Sequence, residues 1–180
     1  MDLEKSSKHH GGQHAGREDL TGEHKAGDTG QLILLVLFLA IWIPDSFIFH
    51  WTDFLDEKIA WYYHSIPGLL VLTASGYLAF MGLRIVFIEV RETPHVITKS
   101  VFSFVRHPIY LACILFYLGQ ILMTLSLASA ALWIIIIIFY WYISRHEEKL
   151  LIEKFGDKYR EYMNNVPMLL PVNLRKQGGK

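Results

Sequence analysis

Four runs of apolar residues, long enough or nearly so to cross a bilayer, dominate what this 180-residue chain can become. They lie at about 31–50, 66–88, 108–125 and 130–144. A helix needs roughly 20 apolar residues to traverse the hydrocarbon core. Lipid offers the peptide group no hydrogen-bond partner, so these runs are expected to be helices, even IIIII at 134–138 with its preference for strands. The fold class is therefore all-α: a polytopic membrane helix bundle of about four transmembrane helices. Only SLAS (126–129) separates the last two runs, which makes them a tight hairpin. Hydrophobic residues are 52% of the chain, above the usual share of a soluble domain, and this favours the membrane reading.

Formal net charge is zero, so no overall field recruits nucleic acid, and none is expected as a partner. The placement of the charges says more. Of 17 Lys and Arg, only Lys58 falls between the first two runs. The others lie in the N-terminal tail, between Arg84 and Arg106, or from Arg145 onward. By the positive-inside rule those three regions share the cytoplasmic side, both termini included. The aromatic-rich loop TDFLDEKIAWYYH then belongs to the opposite interface. Cys113 is the single cysteine and sits in an apolar run, which rules out an intrachain disulfide and assigns it to packing.

Residues 1–30 contain too little apolar surface to offset chain entropy and are read as a disordered cytoplasmic tail. His9, His10, His14 and His24 fall there at irregular spacing without cysteine, so no metal site is assigned. With no short basic leader, a cleaved signal is not expected. Residues 31–171 form the membrane domain and 172–180 a flexible tail.

In the first run, IWIPDSFIF places Pro44 and Asp45 where a kink and a carboxylate are costly. Asp45 is either the outer end of a short kinked helix or a buried functional acid. In the second run Ser75 and Ala79 have small-x-x-x-small spacing, with Gly68, Gly76 and Gly82 nearby, which allows close helix contact.

Two clusters carry chemistry. VRHPIYL (105–111) puts Arg106 and His107 directly before Pro108, which suits the first turn of a helix. RHEEKLLIEKFGDKYREYMNNVPMLLP (145–171) follows the fourth run. If the third and fourth runs form a hairpin, Arg106 and His107 meet Glu147 and Glu148 at the cytoplasmic face. Such a set is either a structural ion pair or a site for a zwitterionic ligand. Leu151, Phe155, Tyr159 and Tyr162 then give an amphipathic cytoplasmic helix, interrupted at Gly156. VPMLLP returns apolar residues toward the membrane, as a lid over a pocket would.

RHPIYL, Gly119 thirteen residues after the arginine, and EEKLLIEKFGDKYREYMNNVPMLLP together resemble the C-terminal half of the isoprenylcysteine carboxyl methyltransferase family and its small prokaryotic relatives. The resemblance covers about residues 95–171, the half that would hold the cofactor. It implies an integral membrane enzyme that moves a methyl group from S-adenosylmethionine to a lipophilic acceptor arriving from the bilayer, with a carboxyl O-methyltransferase as the leading type. Carried over by position, His107, Pro108, Tyr110, Gly119 and Glu147 would serve cofactor binding. Arg106 would orient or polarise the acceptor, with Glu148 as its catalytic partner, although the motif leaves open which glutamate does what. No metal is implied. Where relatives usually carry G-x-Y before the motif, this chain has Ser100 and Phe102, and it has Ala112 where they carry glycine. Two other readings stand beside this one: a non-catalytic accessory or regulatory membrane protein that keeps the fold, and a reductase. The reductase lacks support from any G-x-G-x-x-G pattern.

Overall fold

The computed structural model describes residues 25–88 and 95–170. The tail histidines, Arg91 and the final ten residues lie outside that range. Five α-helices account for most of it: α1 (Lys25–Pro44), α2 (Tyr62–Leu83), α3 (Pro108–Thr124), α4 (Leu127–Phe155) and α5 (Asp157–Asn165). No strand occurs among the described residues.

Three helical segments are long and apolar enough to cross a membrane: Thr29–Phe49, Tyr62–Val86 and Leu127–Phe155. The expected count of four is not confirmed, because α3 has only 17 residues and falls below that length. At 1.5 Å per residue it covers roughly 26 Å, short of a hydrocarbon core of about 30 Å. By contrast α4 has 29 residues, roughly 43 Å, so Arg145–Phe155 continues the spanning helix instead of starting a new one. The separate amphipathic helix expected across 151–162 is thus divided. Leu151 and Phe155 finish α4, while Tyr159 and Tyr162 belong to the short α5. The break is Gly156, whose φ of +58° is a conformation that side chains with a Cβ rarely adopt.

The first helix begins at Lys25, inside the stretch read as disordered. Packing explains the earlier start: a Cβ at Gly30 would lie 2.5 Å from Cζ of Phe139 on α4, so α1 approaches α4 closely before its apolar run begins. After Pro44 the helix widens into a π-type turn, Asp45–Phe49, and stops at His50 in the left-handed region.

The tightest helix pairing joins α2 to α3. A Cβ at Gly119 would meet Leu72 Cγ at 2.5 Å, and one at Gly68 would meet the Gly119 carbonyl oxygen at 3.2 Å. Ser75 adds a cross-helix hydrogen bond, its hydroxyl donating to Ala112 O at 2.7 Å. A core of Leu34, Phe38, Ile114, Tyr117, Ile121, Ile136, Tyr140 and Leu169 fills the space between α1, α3 and α4. Within the isoleucine run, Ile136 is buried there while Ile134, Ile135 and Ile138 face outward. Leu125 and Ser126 form the hairpin turn, and the Ser126 hydroxyl caps α4 by accepting from Ser129 N.

Candidate active site

Because α3 and α4 run antiparallel from that turn, the start of α3 and the last turns of α4 lie side by side at the opposite end. Pro108 opens α3, where its missing N–H costs nothing. The two residues before it are held by the returning chain: Arg106 N donates to Pro167 O at 2.9 Å and His107 N to Met168 O at 3.1 Å. The segment 166–169 is therefore a strap across the RHP motif, anchored by Leu169 in the core.

The Arg106 guanidinium ties the strap to α4. Its Nε and Nη2 both lie 2.7 Å from Glu148 Oε1, and Nη1 donates to Met163 O and Val166 O at 2.8 Å each. Those carbonyls close the C-terminus of α5, where a cation is favourable. Tyr162 holds the strap from the other side, its hydroxyl donating to Phe102 O at 2.5 Å. Burial pushes the phenols of Tyr159 and Tyr162 well up, so both remain neutral.

His107 lies between the two carboxylates. Its Nδ1 is 3.5 Å from Glu147 Oε2 and its Nε2 is 3.5 Å from Glu148 Oε1. Burial alone would lower the imidazole, but the two flanking glutamates outweigh it and the net shift is upward. Arg106, together with His107 whenever it is protonated, faces Glu147 and Glu148. Tyr110 stacks its ring on His107, with centroids 5.6 Å apart and planes within 5°, and its hydroxyl donates to Glu147 Oε1. His107 Nε2 nevertheless makes no hydrogen bond, although the residue is buried.

Arg106, His107, Glu147 and Glu148 are thus brought together, as the hairpin led us to expect, with Pro108 and Tyr110 beside them. Gly119 is not. It lies eleven residues into α3, roughly 16 Å along the helix axis from Pro108, and serves the contact with α2 described above. Arg106 has Glu148 as its partner, as expected, and its guanidinium also donates to the carbonyls of Met163 and Val166. Ser144 was not singled out in the sequence, where a lone hydroxyl in an apolar helix was the only signal; Tyr162 was noted only as part of an apolar helix face, not for its hydroxyl. Ser100, where relatives carry glycine, has a φ of +56°, so the backbone conformation that favours glycine is kept with a serine in place.

A family model described as phospholipid methyltransferase matches residues 68–158, half of the chain. Methanethiol S-methyltransferase 1 of Bradyrhizobium diazoefficiens is 38% identical over 79 residues, covering 43% of this chain and 27% of that protein. Methanethiol S-methyltransferase of Crocosphaera subtropica is 28% identical over 148 residues, 77% of this chain and 57% of that protein. Protein-S-isoprenylcysteine O-methyltransferase of Saccharomyces cerevisiae is 37% identical over 83 residues, 45% and 35% respectively. The matches therefore span between about a quarter and somewhat over half of these curated relatives. No solved structure matches the chain.

Proposed function

The chain belongs to the phospholipid methyltransferase family, an integral membrane methyltransferase family, and from that premise we propose that it transfers a methyl group from S-adenosylmethionine to a lipophilic acceptor at the cytoplasmic face. The observation that carries this reading is the buried cluster of His107, Tyr110, Glu147 and Glu148, with His107 Nε2 left without a hydrogen bond inside it. A zwitterionic sulfonium compound suits this donor set: the Glu147 carboxylate for a cationic group, the His107 imidazole for an anionic one. When bound, S-adenosylmethionine supplies a methyl group already activated on sulfur, so the protein needs no metal and no covalent nucleophile.

The chain's own contribution is then binding, alignment and exclusion of water. His107, Tyr110 and Glu147 hold the polar groups of the cofactor, and Pro108 fixes the turn that presents them. Arg106 is a positioning residue that keeps Glu148 and the strap in place. The strap covers this end of the hairpin, and the apolar faces of α1, α2 and α4 leave the acceptor a route from lipid. Sixteen of 17 basic residues outside the first loop support the cytoplasmic placement.

Between acceptor classes, one observation favours a thiol over a carboxylate. A carboxylate acceptor would call for a free cation, and Arg106 is already committed to Glu148, Met163 and Val166. The names of two relatives point the same way.

The test is isothermal titration of S-adenosylhomocysteine into the detergent-solubilised protein beside His107→Ala and Glu147→Gln, followed by methyl transfer to a short alkanethiol and to a prenylcysteine carboxylate. Micromolar binding that weakens at least tenfold in both variants is expected, with transfer to the thiol. A folded protein that binds nothing would return the question to the non-catalytic accessory reading.

A further inference from the structure

Ser144 is fully buried, and its hydroxyl makes no hydrogen bond with any protein group. A serine or threonine in an apolar helix ordinarily bonds the carbonyl one turn back or reaches a neighbouring helix. Other hydroxyls here do so. Thr73 donates to Leu69 O at 2.8 Å, Ser75 to Ala112 O at 2.7 Å, and Ser126 to both Asp45 and Ser129. Leaving a buried hydroxyl unpaired is costly, so its persistence in a packed helix points to a partner that is not part of the chain.

Its position names that partner's location. Tyr140, Ser144 and Glu148 fall on successive turns of α4, and Glu147 lies beside them. Both ends of this strip touch α3: the Tyr140 ring lies 5.3 Å from that of Tyr110, and Glu147 accepts from the Tyr110 hydroxyl. Ser144 lies between those contacts, on the same helix face as the site. His107 Nε2, at the start of α3, also makes no hydrogen bond and has Glu148 Oε1 at 3.5 Å; His64 Nε2, likewise without one, has Asp56 at 3.3 Å and lies near Leu122, toward the other end of α3.

We propose that Ser144 is a ligand-binding residue of this site, its hydroxyl and His107 Nε2 each holding a hydrogen-bonding group of S-adenosylmethionine. The assignment rests on the methyltransferase reading. A hydroxyl both donates and accepts, which suits a ribose hydroxyl or the amino-acid carboxylate of that cofactor.

The experiment uses the full chain in detergent, with S-adenosylhomocysteine as the probe and Ser144→Ala as the variant. Two readouts should move in opposite directions. Affinity should weaken about tenfold, the loss of one well-formed hydrogen bond. The melting temperature without ligand should hold or rise, because a methyl group replaces an unpaired hydroxyl. An unchanged affinity overturns the role of Ser144, whatever happens to stability. A folded wild-type protein that binds no S-adenosylhomocysteine overturns the methyltransferase reading and this proposal together, so the two failures are told apart by the wild-type titration.

Discussion

At the turn of the α3–α4 hairpin, Asp45 is 3% exposed and its carboxylate accepts from Thr52 N at 3.0 Å, Thr52 Oγ1 at 2.6 Å and Ser126 Oγ at 2.6 Å. At the open end, Glu148 is 6% exposed and is bound by Arg106, yet His107 Nε2 and Ser144 Oγ close by have no hydrogen-bond partner. Both are buried polar clusters bridging the hairpin to another part of the chain. At the turn the carboxylate is matched by donors supplied from the loop 50–53 and the α4 cap, as a structural network should be. The open end carries more charge and includes the Ser144 hydroxyl without a hydrogen bond; at either end one histidine, His64 or His107, has an Nε2 that faces a carboxylate beyond hydrogen-bonding geometry. That contrast is what the proposed ligand site at the open end rests on.

Breaking the open end should produce the largest effect. Arg106→Ala leaves Glu148 as a buried carboxylate with only His107 beside it and frees the carbonyls of Met163 and Val166. Loss of one partner from a buried pair typically costs about 3–5 kcal/mol. We expect a clear drop in melting temperature, new protease sensitivity across 163–170, and loss of S-adenosylhomocysteine binding. Stability and ligand affinity fail together here because the same guanidinium holds the strap and the site. Normal ligand affinity in a folded Arg106→Ala protein would show that the strap does not shape the site.

Asp45→Asn breaks the turn instead. One oxygen of the original pair becomes an amide nitrogen that cannot accept, facing the hydroxyls of Thr52 and Ser126 or the Thr52 N–H. A loss of about 1–3 kcal/mol follows from one spoiled buried hydrogen bond. Affinity for S-adenosylhomocysteine should change less than twofold, since the hairpin length separates the two clusters. A comparable loss in affinity would mean that the turn network contributes to the site, and the contrast would fail.

How much of this contrast could be read in the sequence depended on what each residue's role required. Arg106, His107, Glu147 and Glu148 were legible as a cluster because a short loop forces the ends of a hairpin together whatever the packing detail. The use of Arg106 was not legible, since its carbonyl partners belong to a strap whose path depends on tertiary folding. Asp45 was left between two readings: it is indeed buried, but its partners are hydroxyls and an amide that no spacing rule connects to it. Gly119 lies in the α2–α3 contact, and the sequence could not show this because a glycine needed for helix contact has the same letter as one needed for a ligand. The helix runs were legible from hydropathy, but their ends at Lys25 and Phe155 were set by packing and by Gly156.

The smallest expected effect concerns protons, and it compares two histidines, one at each end. His50 is exposed and its imidazole is raised, chiefly by its 2.7 Å contact with Asp53. His107 is buried and is raised by Glu147 and Glu148 against the pull of burial. A folded-state value above the ordinary histidine value of about 6.5 means that the folded protein binds the proton more tightly than the unfolded chain. Each histidine therefore contributes stability that is complete below about pH 6.5 and is lost as pH rises through its folded value. Melting temperature should accordingly fall as pH rises above about 6.5. In His107→Gln part of that fall should disappear, since the buried charge has only Glu147, Glu148, Arg106 and the stacked Tyr110 around it. In His50→Gln the profile should stay close to wild type, because solvent screens an exposed pair. Adding S-adenosylhomocysteine should alter the pH dependence of the wild type and leave the His107→Gln profile nearly unchanged. If the two histidine variants proved interchangeable in both profiles, the open end would be no more responsive to protons or ligand than the turn, and the distinction drawn between them would not survive.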